Sequence, residues 1–280
     1  MTTMAPVHER LSLGDKLSMV VSDSLTIAKR GVIKIRRVPD VLIFSTLSPI
    51  MFVLLFAYIF GSAIEIPGVS YREFMIGGIF AQTVVFGASF TGAALAEDMQ
   101  KGIIDRFRSL PMAPSAVLIG RTLSDVVINV VSLTVMSLTG LAIGWRIRGS
   151  FLDAVLAFLL LLLFAYAVSW IMAYVGLLVR APEVFNNASF IVVFPLTFIG
   201  NTFVPSDKLP TVLRVIAEWN PVSALTQATR DLFGNTSAVA PTPTAWSLRN
   251  PEVTTLIWVV VIMAIFVPLA VRQYKKTVSR

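Results

Sequence analysis

The sequence predicts an all-α integral membrane fold of six transmembrane helices, and three observations carry that prediction. The 280 residues are 56% hydrophobic and only 14% charged, where soluble domains carry about 25% charged residues. Six uncharged runs are each long enough to cross a bilayer core of about 30 Å at about 1.5 Å per residue. Lysine and arginine collect on alternate sides of those runs. A water-soluble core cannot absorb so much apolar surface, and the mean hydropathy of +0.80 agrees, so one membrane domain accounts for the chain.

The runs extend from Val41 to Ile64, Phe74 to Ala96, Val126 to Trp145, Ala154 to Val179, Val184 to Ser206 and Val253 to Val271. The first begins behind many charges and lacks the small-residue cleavage site of a removable leader, so it is expected to stay in the mature protein. Six crossings put both termini on one side. The four residues Arg180 to Glu183 force the fourth and fifth spans to be antiparallel neighbours. With both termini inside, sixteen of the 23 Lys and Arg residues fall on the cytoplasmic side, which orients the chain. Pro49 and Pro195 each remove a helical hydrogen bond within a span; an ordinary kink or a bend that opens a cavity fits either.

The absent chemistry is as informative. With no cysteine and a single histidine, His8, in the N-terminal tail, thiolate nucleophiles, disulfides, Cys/His zinc sites and histidine catalysis inside the fold are excluded. No metal or other cofactor is expected in the chain, and nucleic acid is not an expected partner. No G-x-x-x-x-G-K-[ST] loop occurs, so any ATP that drives this protein is bound by another chain. A proton-coupled carrier would place ionisable groups deep in its spans, and the six runs hold none. Asp125 comes nearest, at the cytoplasmic end of the third run, where it is expected to reach water or pair with Arg121 one turn away. A lipid-processing enzyme would need clustered acids or histidines at the interface, which are missing too. The energy source is expected to be external.

Three segments outside the runs are patterned. Between Leu17 and Arg37, Leu17, Val21, Leu25, Ala28, Val32 and Ile35 recur at helical spacing opposite Asp23, Arg30, Lys34 and Arg37, which fits a helix on the membrane surface; a plain basic anchor fits as well. After the second run, EDMQKGIIDRFRSLPMAP (Glu97 to Pro114) places Met99, Ile103, Phe107 and Leu110 on one face and Glu97, Lys101, Asp105 and Arg108 on another before Pro111 ends the helix. Such a helix suits docking into a groove of a soluble partner, although periodicity alone fits a solvated loop equally. Before the sixth run, two short helical patterns break at Asn220 and Pro221, too short to cross and read as a re-entrant or interfacial pair.

Polar residues are sparse within the runs. Gln82, Thr83, Ser89 and Thr91 in the second, Asn129 in the third, and Asn186, Asn187, Thr197, Asn201 and Thr202 in the fifth accompany Phe80, Phe86, Phe90, Phe190, Phe194, Phe198 and Phe203. Aromatic walls with scattered hydrogen-bonding groups suit a large amphipathic ligand and equally suit helix packing in lipid.

Four stretches carry a resemblance: EDMQKGIIDRFRSLPMAP, GRTLSD (Gly120 to Asp125), FPLTFIGNTFVPSDKLP (Phe194 to Pro210) and WNPVSALTQATR (Trp219 to Arg230). In order and spacing the chain resembles the permeases of type-2 ABC exporters, and more closely the daunorubicin/doxorubicin resistance group. The resemblance implies a cytoplasmic tail and amphipathic connecting helix over 1–40, a transmembrane domain over 41–271 with a coupling loop at 97–121 and an extracellular re-entrant segment at 205–252, and a cytoplasmic tail over 272–280. It implies no catalytic residue in this chain, with ATP and Mg²⁺ held by two copies of an ABC ATPase subunit. A second permease copy or a sister permease would complete the pathway in the cytoplasmic membrane, among its lipids, of a bacterium. The coupling residues implied are Glu97, Asp98, Lys101, Gly102, Asp105, Arg106, Phe107, Arg108 and Pro111. The pathway residues implied are Gln82, Phe86, Phe90, Phe194, Phe198 and Asn201. The expected cargo is a hydrophobic drug, with lipids or lipid-linked glycans second and a scaffold without transport third.

Overall fold

The computed structural model describes residues 13–37, 39–61, 66–104, 114–179, 181–236, 239 and 243–278. Those residues are helical apart from turns, loops and one isolated bridge between Ile66 and Val69. Helix α1 (Leu13–Arg37) precedes α2 (Pro39–Leu55), which runs on into a π-helical turn over Phe56–Phe60. Helices α3 (Tyr71–Gln100), α4 (Pro114–Ala142), α5 (Phe151–Leu178) and α6 (Pro182–Phe198) follow. Three short helices, α7 (Thr211–Trp219), α8 (Pro221–Phe233) and α9 (Trp246–Arg249), lead to the long α10 (Pro251–Val278). Among the described residues, four helices, α3, α4, α5 and α10, are long and apolar enough to cross a membrane.

Local chemistry sets the helix ends. Ser70 accepts a hydrogen bond from the Glu73 N–H at 3.3 Å, and Ser150 with Asp153 forms a reciprocal capping box. Asn220 accepts from the Val222 N–H at 2.8 Å while Pro221 takes the first position of α8, where its missing N–H costs nothing. Gly234, at φ +69°, closes the same helix in the left-handed conformation. The break expected at Asn220 and Pro221 is therefore a cap between two helices.

Buried on most of its surface, α3 is the central helix, packed along α5 and against α4, α6 and α8. Glycine allows the closest crossing: a Cβ at Gly92 would lie 2.2 Å from the Phe185 ring, and one at Gly176 2.4 Å from the Gly92 carbonyl oxygen. Small residues at helix crossings are the usual route to tight packing in lipid, where no hydrophobic force drives helices together. Toward the start of α3, Phe80, Trp145, Phe158 and Phe233 interlock with centroids 5.2 to 5.9 Å apart. The Trp145 indole N–H donates to Asn235 Oδ1 at 2.7 Å, so a large buried ring keeps its polar group satisfied.

The helices depart from the hydropathy runs in both directions. α4 starts at Pro114, well before Val126, and so carries Arg121 and Asp125 inside it. α6 stops at Phe198, short of Ser206, and the chain from Ile199 to Val204 turns without regular helix. Pro49 and Pro195 both lie within continuous helices. α1 turns Ser24 and Ile27 inward and leaves Val21 and Leu25, of its apolar stripe, more than half exposed. Glycine again decides, because Gly120 abuts Ser24 and Ile27 and Gly31 abuts Ser124, drawing the small-residue side of α1 onto α4.

Candidate functional site

Between α2, α3, α4 and α6 lies a cavity of about 400 Å³. Phe52, Phe86, Phe90, Phe190 and Phe194 supply its aromatic wall, and Gln82, Thr83, Ser89, Ser132, Asn186 and Ser189 its polar groups. Among the described residues, none that lines it is charged. Thr83 spends its hydroxyl on the Ile79 carbonyl of its own helix at 2.7 Å. Gln82 Nε2, Ser89 Oγ and Ser189 Oγ are buried without a protein partner. Buried polar atoms are nearly always satisfied, so three together in one apolar cavity are poised for a ligand's polar groups.

Four of the six expected pathway residues meet here: Gln82, Phe86, Phe90 and Phe194. Phe198 and Asn201 are not among the lining residues. Phe198 stacks on Phe194 at 4.1 Å and reaches Phe203 at 4.9 Å, extending the aromatic row away from the cavity. Asn201 is held in place by its neighbours: its N–H donates to Ser223 Oγ at 3.1 Å and its Nδ2 to Gln227 Oε1 at 3.4 Å.

Arg230, which the sequence reading passed over as a member of a short outer helix, is 1% exposed. Its Nε donates to the Phe74 carbonyl at 2.7 Å, and its Nη2 to the carbonyls of Asn201 and Thr202 at 2.8 and 2.9 Å. The guanidinium carbon sits 3.5 Å from the Phe74 ring centroid, a cation–π contact. One side chain thus joins the start of α3, the irregular chain after α6, and α8. The available signal was positional: Arg230 shares the inward face of α8 with Val222, Thr226 and Phe233.

At the other end of α3, Lys101 pairs with Glu97 one turn earlier. That hydrogen bond, with the Glu97 charge behind it, raises the Lys101 pKa. Gly102, at φ +63°, turns the chain out of α3, and Ile104 is buried just beyond it. Asp98 faces Arg121 of α4 at 3.9 Å. Asp105, Arg106, Phe107, Arg108 and Pro111 lie outside the described residues. A second depression of about 260 Å³ opens beside this end, between Met99, Leu177, Leu178, Val179 and the α10 residues Gln273, Lys276 and Thr277.

Asp125 corrects its expectation. It is 4% exposed and accepts a hydrogen bond from Thr91 of α3, while Arg121 makes its ion pair with Asp98. The early start of α4 is the reason, since it carries Asp125 three turns into the bundle and away from water.

The ABC-2 type transporter family matches residues 23–233, three quarters of the chain. The chain belongs to the ABC-2 type transporter family. This permease is 35% identical over 267 residues to the daunorubicin resistance ABC transporter permease protein DrrB1 of Streptomyces coeruleorubidus, covering 95% of this chain and 91% of that one. It is 23% identical over 221 residues to ycf38 of Cyanophora paradoxa, described as a transport permease, covering 78% of this chain and 76% of that one. The multi-pass membrane character of the permease follows from the family together with its four long apolar helices.

Proposed function

We propose that this permease is the membrane-spanning subunit of an ATP-driven exporter that moves hydrophobic or amphipathic drugs out of a bacterial cell. The observation that carries the reading is the uncharged aromatic cavity with three unpartnered polar atoms. A flat apolar molecule bearing a few hydroxyl or carbonyl groups fits that mixture. The daunorubicin resistance permease among its relatives supports the same cargo class. A lipid phosphate or a glycan pyrophosphate would call for a lysine or arginine in the wall, and the lining has neither.

ATP and Mg²⁺ belong to two copies of a separate ATPase subunit, which dock on the cytoplasmic loop 97–121. A second permease, identical or a sister, completes the complex. Closure of the ATPase pair pushes on Glu97, Asp98, Lys101, Gly102 and, further along the loop, Asp105, Arg106, Phe107, Arg108 and Pro111. The exposed Glu97–Lys101 pair and the adjoining depression floored by Met99 and Leu177 support a docking surface there.

Six crossings remain our reading of the fold. α2 with its π-helical turn is about 33 Å long at 1.5 Å per residue. α6, at about 25 Å, falls short of the core, and the turn at Asn201–Phe203 takes up the remaining depth. Non-helical backbone at that depth needs its carbonyls satisfied by protein, which Arg230 does. α7, exposing Val212, Val215, Ile216 and Trp219, lies at the outer interface, and both termini are cytoplasmic. The tail and connecting helix of 1–40, the transmembrane domain of 41–271, the re-entrant segment of 205–252 and the tail of 272–280 follow from this topology.

Reconstitution into proteoliposomes with its ATPase decides the matter. Daunorubicin accumulation and daunorubicin-stimulated hydrolysis are expected, and charge reversal at Asp105 and Arg106 (D105K/R106E) should uncouple hydrolysis from transport. Transport of labelled lipid in place of drug, or full transport by the charge-reversed protein, overturns the reading.

A further inference from the structure

Helices α3 and α4 meet along a row of polar residues. They run antiparallel, and their contacts pair Asp98 with Arg121, Thr91 with Asp125 and Gly87 with Asn129. On α4 the three partners recur every fourth residue, so they form one face about 12 Å long. The outer rung reaches the drug cavity, because Gly87, and Ser132 one turn beyond Asn129, line it. The inner rung reaches the cytoplasmic loop, because Asp98 sits beside the Glu97–Lys101 pair at the end of α3.

The rungs differ: Thr91 and Asp125 are in close contact, whereas the first and third leave polar atoms unpaired. Arg121 lies 3.9 Å from Asp98, and its Nε is buried without a partner. Asn129 donates to the Asp125 carbonyl at 3.0 Å, leaving its Oδ1 buried and unpartnered. That oxygen points at Gly87, where a Cβ would come within 2.4 Å of it. Glycine approaches of similar closeness flank the row. α1 and α4 are drawn together at Gly120 and Gly31, and α3 and α5 at Gly92 and Gly176. The row lies between the α1/α4 and α3/α5 pairs, and shear between packed helices is a common route of conformational change. Hydrogen bonds between membrane helices contribute only about 0.6 kcal/mol on average, so rungs of this kind exchange partners at small cost. A carboxylate such as Asp125 inside the bundle points to a function rather than to lipid contact.

We propose that this polar row carries the push of the ATPase from the loop to the cavity floor, with Thr91 and Asp125 as its positioning residues. The inference deepens the exporter reading and rests on it for the direction of transport, while the relative movement of the two helix pairs does not depend on the cargo.

The test uses the full permease–ATPase complex in proteoliposomes. The chain has no native cysteine, so spin labels can be placed cleanly at V21C on α1 and Q100C on α3, both exposed positions. Trapping the ATPase with ATP and vanadate is expected to shift the distance between the labels, and T91V to reduce that shift. An unmoved distance in the protein with Thr91 intact overturns the proposal whatever the cargo. In parallel, T91V is expected to lower daunorubicin transported per ATP hydrolysed by about threefold or more, a size typical of coupling positions, with daunorubicin affinity and basal hydrolysis unchanged. D125A is expected to do the same, the T91V/D125A double variant to be no worse than either single, and D125N, which keeps an acceptor for Thr91, to recover most of the ratio. If the label shift and the coupling ratio of T91V match the unsubstituted complex, or if affinity, hydrolysis and transport all fall in step, the row is structural only. Absence of drug stimulation in the unsubstituted complex, with the label shift present, refutes the cargo and leaves the row standing.

Discussion

The two ends of α3 are anchored by opposite strategies. At its start, Arg230 delivers three hydrogen bonds of 2.7 to 2.9 Å to main-chain carbonyls, Arg148 grips Glu73 through two nitrogens at 2.9 and 2.8 Å, and Trp145 closes onto Asn235. At its other end the ion pair to α4, between Asp98 and Arg121, stretches to 3.9 Å. On the topology proposed above, a helix held more firmly at one end than at the other would act as a lever with its fulcrum at the outer side. The aromatic cavity lies between the two, and on the exporter reading proposed above a movement of the yielding half would change its shape.

Substitutions at the firm end separate its parts. R230Q should do the most damage, because a shorter neutral amide cannot serve three buried carbonyls. Orphaned buried groups cost about 1–3 kcal/mol each, so a large drop in the thermal midpoint of detergent-purified protein is expected, and an unchanged midpoint would remove Arg230 as the fulcrum. Q82L, in the cavity, should separate binding from stability. Losing the unpartnered amide should leave the fold as stable or slightly more so, while the daunorubicin Kd rises about three- to tenfold, the worth of one net hydrogen bond. Tighter binding by Q82L in a fluorescence titration would mean that the cavity prefers wholly apolar ligands. R148A should do less than R230Q, since Arg148 is 64% exposed and water can reach its place, although the substitution takes both Arg148 hydrogen bonds from the buried Glu73 carboxylate. The effect should shrink at high salt, and a loss matching that of R230Q would move the anchor from Arg230 to the Arg148–Glu73 pair.

Much of this molecule was legible before any coordinates. Hydropathy finds the four long helices because about twenty apolar residues have few other homes, and the Asn220–Pro221 signal marks the junction of α7 and α8 because capping chemistry is local. The gathering of Gln82, Phe86, Phe90 and Phe194 was readable as a polar and aromatic mixture on two spans. What the pattern misplaced were residues whose environment is set across the chain. Asp125 reads as an interfacial acid because the run starts at Val126, yet Pro114 begins the helix earlier and burial follows. Asn201 reads as a pathway residue because it lies in an apolar run; its N–H and Nδ2 are engaged by Ser223 and Gln227, outside the lining of the cavity. Val21 and Leu25 read as part of a membrane-surface stripe and do face away from the protein, but which side of α1 meets α4 is seen only in the glycine contacts of Gly31 and Gly120.

By itself the sequence determined the solvent of this protein, its family, and the absence of a nucleotide loop from the chain, because each depends on composition or on short contiguous motifs. The tertiary structure alone decided the central burial of α3, the Arg230 anchor, and the meeting of Thr91 with Asp125. Those depend on which helix faces are brought together by residues far apart in the chain. In a membrane every uncharged helix face is equally at home in lipid, so hydropathy cannot choose among them. Glycine approach and buried hydrogen bonds make the choice.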